Sequence, residues 1–236
     1  MKNNYNKWKG ISLIVAFVLT AISSLNAQVS GYGFNQSVGT YTAITGGTVL
    51  GIATNDDDNF TNLPLGFTFN YNGTNYTNFS ANANGFIALG TSISSSYSAI
   101  SGGTTNNIIA ALNQDLQGNT TTGEMSYLTT GTAPNRVFVM QWKSYRKYGA
   151  SGDDFNFQIR LNETSNYIQV VYGSFTSNTT STTVQVGLRG ATSADYNNRT
   201  TSWAASTAGT SNSANQTLSA TATPVSGTTY TWIGYP

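Results

Sequence analysis

The side chains that could carry chemistry in this chain are almost all carboxylates, because its 236 residues include no histidine and no cysteine. Histidine is the side chain most used for proton transfer near neutral pH, and cysteine supplies thiolate nucleophiles and soft metal ligands. Ser-His-Asp and Cys-His catalysis and the usual zinc centres are thereby excluded. Glycoside hydrolysis needs only two carboxyl groups, and Asp115, Glu124, Glu163 and Asp195 are the acids available for it. They form no alternating acidic group on one strand face. A non-catalytic module is therefore expected, with a carboxylate-dependent hydrolase as the enzyme alternative.

Two short runs offer binding chemistry instead. Asp56, Asp57 and Asp58, within the acidic run 55–59, could present oxygen ligands to calcium, the one cofactor the sequence suggests. The DxDxDG spacing of a calcium loop is absent, and Asp and Asn also favour turns because their side chains bond nearby backbone groups. Turn punctuation therefore stands beside the metal reading, and Asp153-Asp154 admits the same two. The second run, from Trp142 to Tyr148, is the one local concentration of positive charge. On a continuing strand Lys143, Tyr145 and Lys147 share a face, with Tyr148 just beyond. A flat ring flanked by cationic donors suits a sugar ring or an acidic glycan. The alternative is a solvated strand end whose lysines discourage edge-to-edge pairing. Trp142 is expected to point inward with Phe138 and Met140.

The elements that must position these groups are strands. In residues 63–89 the alternating apolar pattern breaks at Asn72-Gly73 and Asn84-Gly85, pairs that accept the positive φ of tight hairpin turns. Two short edge strands are expected around residues 41–44 and 48–50. Residues 108–112, IIAAL, have the continuous apolar character of a strand buried on both faces. Further on, Phe155, Phe157, Ile159 and Leu161 alternate with polar neighbours, as do Ile168, Val170 and Tyr172, then Val184, Val186 and Leu188. One buried face per strand calls for a second sheet to cover it. The fold class is all-β, an antiparallel, jelly-roll-like β-sandwich, with closure into a barrel left open by periodicity alone. The Ser/Gly/Thr stretch 91–107 and residues 143–154 are expected as adaptable loops. Residues 204–222 read as a low-complexity surface excursion before a last strand at 228–232.

Lys2, Lys7 and Lys9 precede an apolar run and a polar end at Asn26-Ala27, the pattern of a cleaved signal peptide over residues 1–27. Residues 28–236 then form a single domain without a membrane anchor, secreted, or periplasmic if no outer-membrane export signal is supplied. Removing the three lysines leaves seven basic residues against nine acidic ones, a weak negative balance that argues against nucleic-acid binding. Without cystine, stability must come from burial and sheet hydrogen bonding. Asn-X-Ser/Thr triplets such as Asn72-Gly73-Thr74 arise from the Asn- and Thr-rich composition.

The segments PLGFTFNYNGTNYTNFSANANGFIAL, NNIIAALNQDL, APNRVFVMQWK and FNFQIRLNETSNYIQVVYG occur in a familiar order. Together they resemble the nidogen-like extracellular module and, more closely, the amino-terminal β-sandwich of secreted adhesin-like proteins from Bacteroidota. The resemblance implies an adhesion module whose partner is an extracellular glycan or protein. It also implies a proline, an aromatic and an acid beside Asp115, where this chain has Ala111, Asn113 and Gln114. A structural subunit of a surface or matrix assembly is the rival expectation.

Overall fold

The computed structural model describes residues 28–234; the signal-peptide expectation for residues 1–27 lies outside them. After a 3-10 turn at Val29–Gly31, sixteen strands follow: β1 (Gly33–Val38), β2 (Thr48–Ile52), β3 (Asn59–Tyr71), β4 (Thr74–Asn82), β5 (Phe86–Leu89), β6 (Ile108–Asn113), β7 (Leu116–Gly118) and β8 (Glu124–Thr130). The second half supplies β9 (Val137–Lys147), β10 (Asp154–Asn162), β11 (Tyr167–Thr176), β12 (Thr182–Arg189), β13 (Tyr196–Thr201), β14 (Ser206–Ala208), β15 (Gln216–Leu218) and β16 (Thr228–Ile233). They build two eight-stranded sheets. The first has the order β1-β16-β11-β10-β9-β8-β2, with β7 joined to β9, and the second β14-β13-β15-β12-β6-β5-β4-β3. Both sheets keep free edges, so the architecture is a sandwich and not a barrel. Among the described residues no helix is long and apolar enough to cross a membrane.

Local chemistry explains the turns. Asn72 and Gly73 both have positive φ, 53° and 71°, the two-residue turn that the Asn-Gly pair favours between β3 and β4. The second pair works differently. Asn82 faces Phe86, so three residues make the loop, and only Gly85 takes positive φ, at 78°. A carbon added at Gly85 would press on the Leu112 carbonyl, so only glycine fits there.

Alternation delivers Phe138, Met140, Trp142, Phe157, Ile159 and Leu161 from the first sheet, and Phe69, Phe79, Ile87, Ile109 and Val186 from the second, to one interior. Trp142 stacks on Phe157 with ring centroids 5.1 Å apart, and Phe79 meets Phe138 edge-on at 4.6 Å. Polar tips cross between the layers: Trp142 Nε1 donates to the Asn82 carbonyl at 3.2 Å and the Tyr172 hydroxyl to the Ala111 carbonyl at 2.7 Å. β6 is buried on both faces, as its apolar run predicts. Ile109 and Ala111 enter the interior, whereas Ile108 and Ala110 join Phe86, Ala99 and Ile100 in a second cluster on the outer face.

Three expectations need correction. The first edge strand is Gly33–Val38, not residues 41–44. The segment around Tyr41 instead lies across the outer face of the first sheet, where the fully buried Gln141 amide oxygen accepts from the Tyr41 hydroxyl and the Ile44 N–H, at 3.2 and 3.0 Å. Of the two expected loops, 143–154 is partly strand, because β9 runs on to Lys147, whereas 91–107 carries no strand and is held in place by buried groups. Asn113 Oδ1 accepts the Ala99 N–H at 2.5 Å, Gln185 Oε1 the Ile100 N–H at 2.8 Å, and Arg189 Nη1 reaches the carbonyls of Ala99 and Gly102. Residues 204–222 lie at the surface as expected but are not a loose excursion, because they contain β14 and β15 and bury Leu218. Trp203, just before them, donates its Nε1 to the carbonyls of Thr217 and Ala222. Composition marked these segments as polar, but buried amides and an arginine satisfy their backbone and hold them against the sheets.

Replacing Tyr172 with Phe removes the hydroxyl that satisfies Ala111 while keeping the ring. Urea unfolding should show a loss of about 1–2 kcal/mol, the range for a buried hydrogen bond deleted from one side.

Candidate functional site

The aromatic and basic run falls on β9, but β9 does not run straight. Tyr145 pairs with Phe155 and Trp142 with Phe157, so the residues between them are out of step. Ser144 sits at φ 53°, and this bulge shifts every later side chain by one face. Lys143 therefore stays outside while Tyr145 turns inward, buried, with its hydroxyl donating to Asn55 Oδ1 at 2.9 Å. Burial drives the Tyr145 phenol far above its ordinary range, and the charges of Asp58 and Asp56 push it the same way. Lys147 is buried too. Its Nζ donates to Ser177 Oγ, Asn178 Oδ1 and the Thr180 carbonyl at 3.1, 2.8 and 2.7 Å and lies 3.6 Å from Asp153 Oδ1. Tyr148 remains exposed. The expected shared face of Lys143, Tyr145 and Lys147 does not exist; two of the three are internal fasteners. Asp153 likewise spends its carboxylate on protein, accepting the N–H groups of Lys147 and Asn178. Trp142 points inward as expected.

The acidic run gives a different result. Asp56, Asp57 and Asp115 each place a carboxylate oxygen within 4.8 Å of the others. Asp58 does not join them, because it accepts from the Asn55 side-chain amide. Asp115 takes the third place from the tight turn between β6 and β7, where the Gln114 side chain accepts its N–H at 2.8 Å. Asp56 pairs by its backbone with Gln117, which fixes the acidic loop against β7.

Buried amides position this corner. Asn84 donates Nδ2 to Asp57 Oδ1 at 2.6 Å and accepts the Leu116 N–H at 2.8 Å, linking the β4–β5 turn to both acidic segments. Asn113 donates to the Asn84 carbonyl at 3.0 Å and to the Ser96 carbonyl at 2.8 Å, so the loop after β5 is drawn in as well. From that loop Ser95 Oγ and the Tyr97 hydroxyl donate to Asp57, at 2.9 and 3.0 Å. Asn113 thus holds together the corner at one of the positions where the family resemblance implied an aromatic residue.

The electrostatics divide the three acids. Burial raises Asp56, and the negative charges of Asp57, Asp115 and Asp58 raise it further. Asp115 is raised by burial and by Asp57. Burial would lift Asp57 also, but the donors from Asn84, Ser95 and Tyr97 outweigh it and hold that carboxyl below its ordinary value. The Tyr97 phenol is pushed up to about 12, chiefly by its hydrogen bond to Asp57. Asp56 Oδ1 is buried without a hydrogen-bond partner. Oxygen ligands of calcium stand roughly 2.4 Å from the ion and so at most about 4.8 Å apart, a limit this trio meets. The corner can do two things chemically: gather a hard divalent cation, and present the half-exposed Tyr97 ring beside it.

The family described as NIDO related matches the chain over residues 31–234. Neither the curated proteins nor the solved structures searched contain a match.

Two measurements check this corner. The raised carboxyls of Asp56 and Asp115 favour the folded state fully only below the unfolded aspartate value, about 3.9. That contribution is lost as the pH climbs through the raised folded values. In chelator at neutral pH, Asp115→Asn should therefore melt at a higher temperature than the wild type. Millimolar calcium should raise the wild-type melting temperature more than that of the variant. Asn113→Ala, which strands the Ala99 N–H and the carbonyls of Asn84 and Ser96, should cost about 2–3 kcal/mol in urea unfolding.

Proposed function

Because the chain belongs to the NIDO-related family of extracellular β-sandwich modules, we propose that it is a secreted, non-catalytic binding module. It acts in adhesion or matrix assembly and docks an extracellular glycan or protein at the rim formed by Asp56, Asp57, Asp115 and Tyr97. The observation that carries this reading is the state of Tyr97: its ring is 48% exposed while its hydroxyl is fixed on Asp57. A ring held at one edge with its face in solvent has lost its conformational freedom before any ligand arrives, which lowers the cost of stacking on a sugar or side chain. Calcium gathered by the neighbouring carboxylates would supply oxygen coordination to ligand hydroxyls and relieve their mutual repulsion. Export to the extracellular or periplasmic space fits a chain that meets millimolar calcium there.

A second reading, the structural subunit, is favoured by one feature. β2 ends the first sheet with its outer edge unpaired, and Ile52 on it is 68% exposed. Exposed edges of this kind recruit strands from other chains.

A glycan array probed with residues 28–236, in calcium and in chelator, tests the proposal. Tyr97→Ala should weaken binding about tenfold, the equivalent of a stacking contact near 1.4 kcal/mol. Asp57→Asn should remove the calcium dependence. Unchanged binding in Tyr97→Ala, or turnover of any polysaccharide lost in Asp115→Asn, would overturn it. Silence on the array with concentration-dependent oligomers would favour the subunit.

A further inference from the structure

Away from the acidic rim, the β1 edge of the first sheet faces β13 and β14 of the second. Gln36 on β1 donates Nε2 to the carbonyls of Trp203 and Ala204 and accepts the Ser206 N–H. Beside this clamp a cleft of about 470 Å³ opens, lined by Tyr32, Phe34, Tyr196, Asn198, Arg199 and Gly209. That volume falls within the usual range for small-ligand sites.

Arg199 forms the charged wall and is only 6% exposed. Its guanidinium lies over the Phe34 ring, 3.6 Å from the centroid. Nε donates to Ser206 Oγ at 3.2 Å and Nη2 to the Ser206 carbonyl at 2.7 Å, both neutral acceptors. The ion pairs found among the described residues are Arg136–Glu163 and Lys147–Asp153, neither of which involves it. Burial lowers its pKa, and Tyr230 is the ionisable neighbour that counters this. Asp195, close in sequence, is turned toward the N–H groups of Val29 and Ser30. A buried cation without a counter-charge is costly, and an anion from outside would relieve that cost.

Asn198 fixes the wall beside Arg199. Asn198 is 1% exposed and its Oδ1 is buried with no hydrogen-bond donor. Its Nδ2 is committed to the carbonyls of Ser211, Asn212 and Ala214, so the amide cannot simply be turned over. A methyl group at Gly209 would collide with that oxygen, so the Gly209 backbone packs directly against it in the wall of the cleft.

We propose that this cleft is a subsite for a carboxylated sugar of an acidic polysaccharide, its carboxylate meeting the Arg199 guanidinium. The pairing is specific because the planar guanidinium matches a carboxylate. Half-buried Tyr196 supplies a further wall for the ring. The assignment rests on the binding-module reading but uses residues separate from the aspartate rim.

Calorimetric titration of residues 28–236 with trigalacturonate and with sialyllactose, in chelator so that the rim is silent, tests it against uncharged galactotriose and a carboxylate-terminated tripeptide. At least one acidic sugar should bind and galactotriose should not. Arg199→Lys, which keeps the charge and loses the fork, should weaken binding about tenfold or more. Asp57→Asn should leave it intact, and a wild-type urea midpoint in each variant shows that the fold survives. Equal affinity for galactotriose, preference for the tripeptide, or full affinity in a folded Arg199→Lys protein would each overturn the subsite. Those results leave the rim reading standing if the array still reports Tyr97-dependent binding. No binding of either acidic sugar overturns the subsite in the same way.

Discussion

The interior of this protein is dry, aromatic and free of cystine, and it stays aligned because its largest side chains carry polar tips that must find partners in the opposite sheet. Trp142 reaches Asn82 and Tyr172 reaches Ala111, while Gln216 on β15 donates to the Tyr230 hydroxyl of β16. Apolar burial alone is non-directional and would let two sheets slide. A buried donor left unpaired costs more than its bond contributes, so each of these contacts penalises every misaligned packing of the layers. Register between the sheets is thereby fixed without a covalent link.

The same physics builds the rim. Asparagine amides sit where backbone turns converge, and Asn55, Asn84 and Asn113 each serve several segments at once. An amide can donate and accept on one short stem, so it joins loops that share no regular hydrogen-bond pattern. The carboxylates gathered by this lattice are held closer together than their charges favour. Burial first, and then this crowding of charge, raises Asp56 and Asp115.

Much of the fold was legible because its cause is local. Asn-Gly turns and two-residue alternation depend on adjacent residues, and they place β3 to β5, β9 to β12 and β16 correctly. The twice-buried β6 could be read from its apolar run, although what covers its second face could not. Legibility fails where one residue changes phase or where partners are distant. The bulge at Ser144 reverses the orientation of Tyr145 and Lys147, and serine gives no sign that it will adopt positive φ. The acidic trio was half visible: the run 56–58 stands out, but Asp115 arrives through a β6–β7 turn nearly sixty positions later in the chain. Arg199 gave no signal, since only the folded chain shows that it stands outside the ion pairs found among the described residues. The Ser/Thr/Asn-rich 204–222 region lies at the surface as its polarity suggests, but polarity was taken for looseness, whereas its backbone is paired by β14, β15 and buried Asn198.

The first and last strands of the described fold are paired antiparallel from Gly33 opposite Ile233 to Val38 opposite Thr228. Gly33 and Ile233 consequently lie side by side at one end of this pair. Tension carried through these two points would open the β1–β16 pair sequentially, breaking one rung after another, instead of shearing a whole row of bonds together. In a load-bearing chain such a unit is a compliant link that yields early and dissipates work, and the Gln36 clamp to the second sheet is the catch that sets its yield point.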